Sequence, residues 1–167
     1  MWVILRDITY NADVVKELPV AELQLEEGHE YIIADYEGVL EPDEFDSIHA
    51  LNDFLKYCVE NDISEDTLSI LSNAYFYKEV VESVMSDNYT IINFTDETAS
   101  WNNGTGGNHN EEDMGRCLYE SGYYMLPFEV TEEMTDWIDW AQAWTDASCQ
   151  GWVEVNYKDS LYLVRKM

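Results

Sequence analysis

EYIIADYEGVLEPDEFDSIHALNDFLKYCVEN, residues 30–61, is the stretch on which the reading of the fold turns. It opens on a β-branched and aromatic run, residues 30–36, which predicts a strand closed by Gly38. From residue 41 onward it predicts a helix. Pro42 suits a first helical position, and Asp43 and Glu44 suit the positive end of the helix dipole. Phe45, Ile48, Leu51, Leu55, Cys58 and Val59 recur at helical spacing as a buried stripe, with Asp43, Glu44, Asp46, Asp53 and Glu60 largely off it. Between strand and helix, DYEGVLEPDEFD (35–46) holds six carboxylates and no basic residue. An acidic tail would not carry Tyr36, Val39, Leu40 and Phe45. The segment joins uncompensated charge to the residues of a folded core.

Strands and helices continue on either side. Residues 2–10 predict a strand around WVIL, and 17–28 a short helix or turn. SEDTLSILSNAY (64–75) predicts a helix starting at Ser64, with Glu65 and Asp66 in its first turn and Leu68, Leu71 and Tyr75 on its apolar face. YKEVVESVMSDN (77–88) predicts another helix, and YTIINF (89–94) a strand or extended segment. TDETASWNNGTGGNHN (95–110) is polar, rich in Gly and Asn and without periodicity, so a long exposed loop is expected. EEDMGRCLYESGY (111–123) predicts a short helix. TEEMTDWIDWAQAWTDA (131–147) predicts a helix capped by Thr131, with Met134, Trp137, Ile138, Ala141 and Trp144 on one face. GWVEVNY, KDS and LYLVR alternate and turn as a closing hairpin. The fold class is α+β, with short antiparallel sheets and acidic helices.

The charge of the opening stretch extends over the whole chain. There are 35 Asp and Glu against 8 Lys and Arg in 167 residues, a formal net charge of −27. Divided near residues 58 and 105, the three parts carry −11, −8 and −8. Such self-repulsion opposes compaction. High charge with low hydrophobicity would mean disorder, but 46% of residues are hydrophobic and 14% aromatic, so the chain is expected to fold. No stretch approaches the ~20 apolar residues of a membrane span. MWVILRDITY lacks the features of a signal peptide. Cys58, Cys117 and Cys149 are odd in number and widely spaced, which suits buried thiols in a reducing cytoplasm. The sequons at Asn88, Asn93 and Asn103 are then chance matches.

Several chemistries fail on spacing. A calcium loop needs acids at alternate positions with Gly sixth, whereas DYEGVLEPDEFD has Gly38 fourth and Leu40 sixth. His29, His49 and His109 sit in no metal-binding pattern. Paired carboxylates could serve glycoside hydrolysis, but with so many acids a pair is expected by chance. No nucleophile-elbow, P-loop or Cys/His signature occurs. No enzyme activity, metal or cofactor is therefore expected. Nucleic-acid binding needs a basic patch, and the few cations are scattered; none lies between Lys16 and Lys56, a span with twelve carboxylates.

The same principle reversed gives a positive expectation. Duplex DNA carries one negative charge per ~1.7 Å, and acids three or four apart on a helix are about 5–6 Å apart. Acidic helices strung along an elongated body would offer a comparable array to a protein with a basic DNA groove. An aromatic-rich core would hold the array rigid, lowering the ordering entropy lost on binding. Salt adaptation and a generic acidic interaction module, with a CRISPR effector, another defence system or a repressor as its target, are the alternatives.

YIIADYEGVLEPDEFDSIHALNDFL (31–55), with its Asp-Tyr-Glu, acidic turn and Ser47-Ile48-His49-Ala50-Leu51-Asn52 run, resembles a segment of the ArdA antirestriction proteins of conjugative elements and phages. WIDWAQAWTDA (137–147) is similar to that family's Tyr-Ile-Asp-Tyr stretch, with Trp137 and Trp140 at the Tyr positions and Ile138 and Asp139 matched. GWVEV and LYLV resemble its closing hairpin. The likeness covers most of the chain from about residue 30. The chain departs from the family in a shorter N-terminal region without its Gly-x-Trp element, in the 95–110 loop, and in Thr145 where Arg is common.

The resemblance implies a cytoplasmic, non-enzymatic DNA mimic built as an elongated line of three small domains, here 1–58, 59–105 and 106–167. It implies a homodimer through the C-terminal domain and a partner in the methyltransferase core of type I restriction–modification enzymes, with no nucleic acid or membrane bound. Carried over by position, Asp35, Glu37, Glu41, Asp43, Glu44, Asp46 and Asp53 stand as phosphate substitutes. The acidic surface would continue through Glu60, Asp62, Glu65, Asp66, Glu79, Glu82, Asp87, Glu111, Glu112, Asp113, Glu120, Glu132, Glu133, Asp136 and Asp139. Trp137, Ile138, Trp140 and Trp144 would lie in or near the dimer contact.

Overall fold

The computed structural model describes residues 1–9, 16–99, 101 and 110–167. The expected strand end at Tyr10, and most of the expected 95–110 loop with Asn103 and His109, lie outside them. The chain divides into two compact units, Met1–Asn88 and Tyr89–Met167. The boundary expected between residues 58 and 59 falls within a helix of the first unit.

The first unit begins with a three-stranded antiparallel sheet of order β2-β1-β3. β1 (Trp2–Asp7) is central, between β2 (Lys16–Pro19) and β3 (Tyr31–Glu37). Val3 and Leu5 of β1 point inward at period two, as a half-buried strand requires. A register shift at Ile4/Leu5 bends the β1–β3 pairing. A 3-10 turn, Val20–Glu22, follows β2 and stands in the expected 17–28 segment.

The helix expected from Pro42 onward is two elements. Pro42–Glu44 form one 3-10 turn with Pro first, and α1 runs Ile48–Glu60. Ser47 causes the break: its side chain accepts the Ala50 N–H at 3.2 Å and starts a new helix. Ile48, Leu51, Leu55 and Cys58 are buried as expected. Phe54 and Asn52 join them, while Val59 is 67% exposed. The buried face is thus rotated away from Val59. The Asn52 side-chain amide donates to the Val20 carbonyl oxygen, tying α1 to the turn after β2. α2 (Glu65–Ala74) is capped by Ser64, which accepts the Thr67 N–H at 3.0 Å. α3 (Tyr77–Ser86) packs against α1 and α2.

The second unit has a sheet of order β4-β6-β5, all antiparallel. β4 is Tyr89–Asn93, β5 Trp152–Tyr157 and β6 Ser160–Lys166. Tyr157 pairs with Ser160, so the closing hairpin turns on Lys158 and Asp159, and Ser160 belongs to the strand. The start of the expected 95–110 loop is ordered. Asn93 accepts the Asp96 N–H and begins the short α4, Phe94–Glu97, and the Thr95 hydroxyl accepts the Leu161 N–H at 2.9 Å. Phe94 and Thr98 are buried.

α5 (Glu111–Glu120) is capped by Asn110, and α6 (Trp140–Cys149) by Asp139. The single helix expected over 131–147 is broken. Glu132–Trp137 form a 3-10 segment, because Asp139 takes the Gln142 N–H at 3.0 Å and restarts the chain as α6. Thr131 makes no side-chain cap. The Trp140 indole N–H donates back to the Thr135 carbonyl at 3.0 Å. The buried face is therefore Trp140, Ala143, Trp144 and Ala147, with Met134 and Trp137 left exposed. The core joins Ile92, Phe94, Met114, Leu118, Trp144, Trp152 and Leu163. Gly115 lets α5 and α6 touch through backbone. A Cβ there would lie 2.9 Å from the Trp144 nitrogen and nearer still to the Trp140 oxygen.

Candidate functional site

No carboxylate of the expected array is buried. Glu44, Glu79 and Asp113 are partly covered and the other members are exposed. With 35 acids and 8 cationic side chains, pairing can neutralise only a minority. The ion pairs include the Met1 amino group with Glu65 at 2.5 Å and Arg116 with Glu120 at 2.7 Å. The first unit carries −17 (21 acids, 4 bases) and the second −10 (14 acids, 4 bases). Glu22, Glu27, Glu30, Asp96, Glu97, Glu129, Glu154 and Asp159 are also exposed, and sequence spacing gave no reason to single them out.

The acids fall into four local settings. Asp35 and Glu37 lie on one face of β3, an edge strand, and Glu41 precedes the Pro42 turn that carries Asp43 and Glu44. Charge on an exposed edge discourages strand addition. A second group sits in first helical turns: Glu65 and Asp66 of α2, Glu79 of α3, Glu111, Glu112 and Asp113 of α5, and Glu132 and Glu133 in the 3-10 segment. Carboxylates there interact favourably with the exposed N–H groups and the dipole. Asp139 is itself a cap, and Asp136 lies three residues after Glu133 in the same 3-10 segment.

The third group stands at helix ends, where Glu120 is held by its ion pair with Arg116. Glu60 ends α1 and Glu120 ends α5, against the negative pole of each dipole. Among the described residues, the last turns of α1, α2, α3, α5 and α6 hold no basic residue. Asp62 and Asp87 go further. After α1, the Ile63 N–H reaches the Cys58 carbonyl at 2.8 Å, and after α3 the Asn88 N–H reaches Ser83 at 2.9 Å. These are Schellman turns, whose left-handed residue is usually Gly. Asp62 (φ 56°) and Asp87 (φ 53°) occupy that residue. After α5 the same bond, Tyr123 N–H to Leu118 at 2.8 Å, encloses Gly122 (φ 78°), and Gly151 (φ 94°) follows α6. The second unit uses glycine where the first uses aspartate.

The remaining members, Asp46, Asp53 and Glu82, gather with Glu44 around a groove of about 370 Å³ between α1 and α3. Its apolar wall includes Phe45, Phe54, Tyr77, Val81 and Met85. Of these only Phe45 entered the expected stripe. The four-residue spacing of 77, 81 and 85 was a signal that sequence reading passed over.

The four residues expected near a dimer contact separate. Trp140 and Trp144 are 7% and 6% exposed, within their own unit, and Trp140 packs on Tyr119 with ring centroids 5.2 Å apart. Ile138 is half-buried. Trp137 is 88% exposed.

Two histidines have structural surroundings. His29 Nδ1 lies 2.7 Å from Asp7 and Nε2 3.2 Å from Glu26, and His49 meets Tyr31 edge-on. The hydrogen bonds from His29 and from the Thr9 N–H hold the Asp7 carboxyl below its ordinary pKa. Burial pushes the Cys58 and Cys117 thiols up to about 11, whereas Cys149 is exposed. Among the described residues, no group of three or more His, Cys, Asp or Glu could hold a metal, and no helix is long and apolar enough to cross a membrane. Comparison with protein-family models and with curated protein sequences finds no match.

Proposed function

We propose that the chain is a DNA-mimic antirestriction protein, occupying the DNA groove of a type I restriction–modification methyltransferase through its surface carboxylates. The observation that carries this reading is the placement of Asp62 and Asp87. Backbone geometry asks for glycine at both, and the helix dipole disfavours an anion at both. Charge maintained against local stability suits a surface whose charge is used. The exposure of the array on both units supports the same reading, as does the resemblance of residues 31–55 and 137–147 to the ArdA family. No catalytic step is assigned.

The further features of that resemblance belong to the same proposal: a cytoplasmic protein, three small domains in a line, and a homodimer through the C-terminal part. Trp137 is the exposed member of the expected dimer set, and with Ile138 beside it would meet a second copy.

Purified protein should displace a DNA duplex from a type I methyltransferase, with an affinity that falls steeply between about 0.05 and 0.2 M salt. In cells carrying such a system, it should protect incoming plasmid. Binding that ignores salt, or that leaves DNA in place, would sink the proposal. Capture of a different DNA-binding protein in competition with its DNA would transfer the mimicry to that target.

A further inference from the structure

We infer that the groove between α1 and α3 is a docking site for a cationic amphipathic helix of a partner protein. This adds an apolar component to a surface otherwise read as purely electrostatic. Tyr77, Val81 and Met85 recur every four residues along α3, and Phe54 of α1 forms the buried base, 2% exposed. Phe45 bridges the two helices, its ring 5.9 Å from Phe54 and 5.7 Å from Tyr77. Met85 is left 54% exposed at one end. The Tyr57 hydroxyl donates to the Met85 carbonyl at 3.4 Å, so α1 and α3 are also joined across the groove.

The charge around this apolar wall selects the occupant. Glu44, Asp46, Asp53 and Glu82 come from three separate segments, and the lining holds one cation, Lys78, whose ammonium lies 5.9 Å from the Tyr77 ring. An anionic ligand, including a second copy of this chain, would meet a net negative rim. A helix with apolar side chains at i, i+4 and i+7 and Lys or Arg on its flanks matches both the stripe and the rim. Apolar anchors in a pocket ringed by charges are the usual source of affinity at an interface.

The inference does not depend on which basic protein is bound, and its test is separate from DNA competition. Two synthetic helical peptides of equal positive charge serve as probes, one with a Leu/Trp stripe and one with Ser at the stripe positions. Titrated into the full chain, the striped peptide should bind about tenfold tighter or more. That ratio should persist from about 0.1 to about 0.5 M salt, because screening acts on the charges and not on the apolar contact. Ala50→Trp, which fills the groove from an exposed position on α1 without altering charge, should erase the difference and leave the Ser peptide's binding unchanged. Met85→Gln should reduce it, with circular dichroism confirming that both variants fold. Equal binding of the two peptides would overturn the inference, as would a ratio that survives Ala50→Trp. Self-association abolished by Ala50→Trp would assign the groove to a second copy and overturn it equally.

Discussion

Asp62 and Asp87 show how far a single residue can be read against its surroundings. Both hold the left-handed position of a Schellman turn that Gly122 fills elsewhere in the same chain. Asp62→Gly and Asp87→Gly should each stabilise the protein by about 0.5–1 kcal/mol, since strain and an unfavourable dipole contact both disappear. Urea denaturation measures this. The same variants should bind the methyltransferase more weakly, and a variant that gains stability with unchanged binding would remove Asp62 or Asp87 from the array. Both residues were expected in the acidic surface, but their left-handed geometry is not visible in sequence, because the usual marker of such a turn is the glycine that is missing.

The thiols give a second test at this scale. Cys149 should react with a thiol reagent at pH 8 within the unhindered time, and Cys58 and Cys117 should react only on unfolding. Their raised pKa also has a stability sign. Burial of the neutral thiols contributes fully below the ordinary value near 9, and this contribution is lost as pH rises toward about 11. Denaturation midpoints should therefore fall over that alkaline window, and Cys58→Ala with Cys117→Ala should flatten the fall.

Among the elements, capping decided more than periodicity. Ser64 and the hairpin residues were legible because each is a strong local signal, whereas the Asn110 cap was hidden at the end of a stretch expected as loop. Ser47 and Asp139 are equally good caps, but each lies inside a longer stretch with helical spacing, so the expected helices ran through them. The rotated buried faces followed from those restarts: Phe54 in place of Val59, and Trp140 and Ala143 in place of Met134 and Trp137. Of the candidate site, the residues were legible, but their sorting into edge, helix-start and helix-end positions was not, because it depends on where each helix begins. The contact at Gly115 was also hidden, since a glycine within a helix looks only like a weak helix former. Gly115→Ala should destabilise by about 3 kcal/mol or more, because the new methyl meets backbone atoms of α6 that no rotamer change can move. Thermal unfolding checks this; Gly115→Ser should cost more.

For the whole molecule, the relevant quantity is a formal −27 spread over both units. Added salt should have opposite effects on its two equilibria. Raising sodium chloride to about 0.5 M shortens the screening length to a few ångströms and relieves self-repulsion, so the unfolding temperature should rise. The same addition should weaken the proposed complex, whose attraction is between opposite fields. Calorimetry and a binding titration over one salt series would separate the two slopes. A complex that strengthened with salt would make its driving force apolar throughout.

Trp137 has one more consequence, an optical one. Its indole stands almost wholly in water, while Trp140, Trp144 and Trp152 of the same unit are inside. The exposed ring should emit at the red edge of the protein's fluorescence and be quenched readily by acrylamide, and the buried three should not. Anything that settles on that ring, a second copy included, would shift the emission blue and shield it. The chain thus carries its own dye for the surface on which its assembly is proposed.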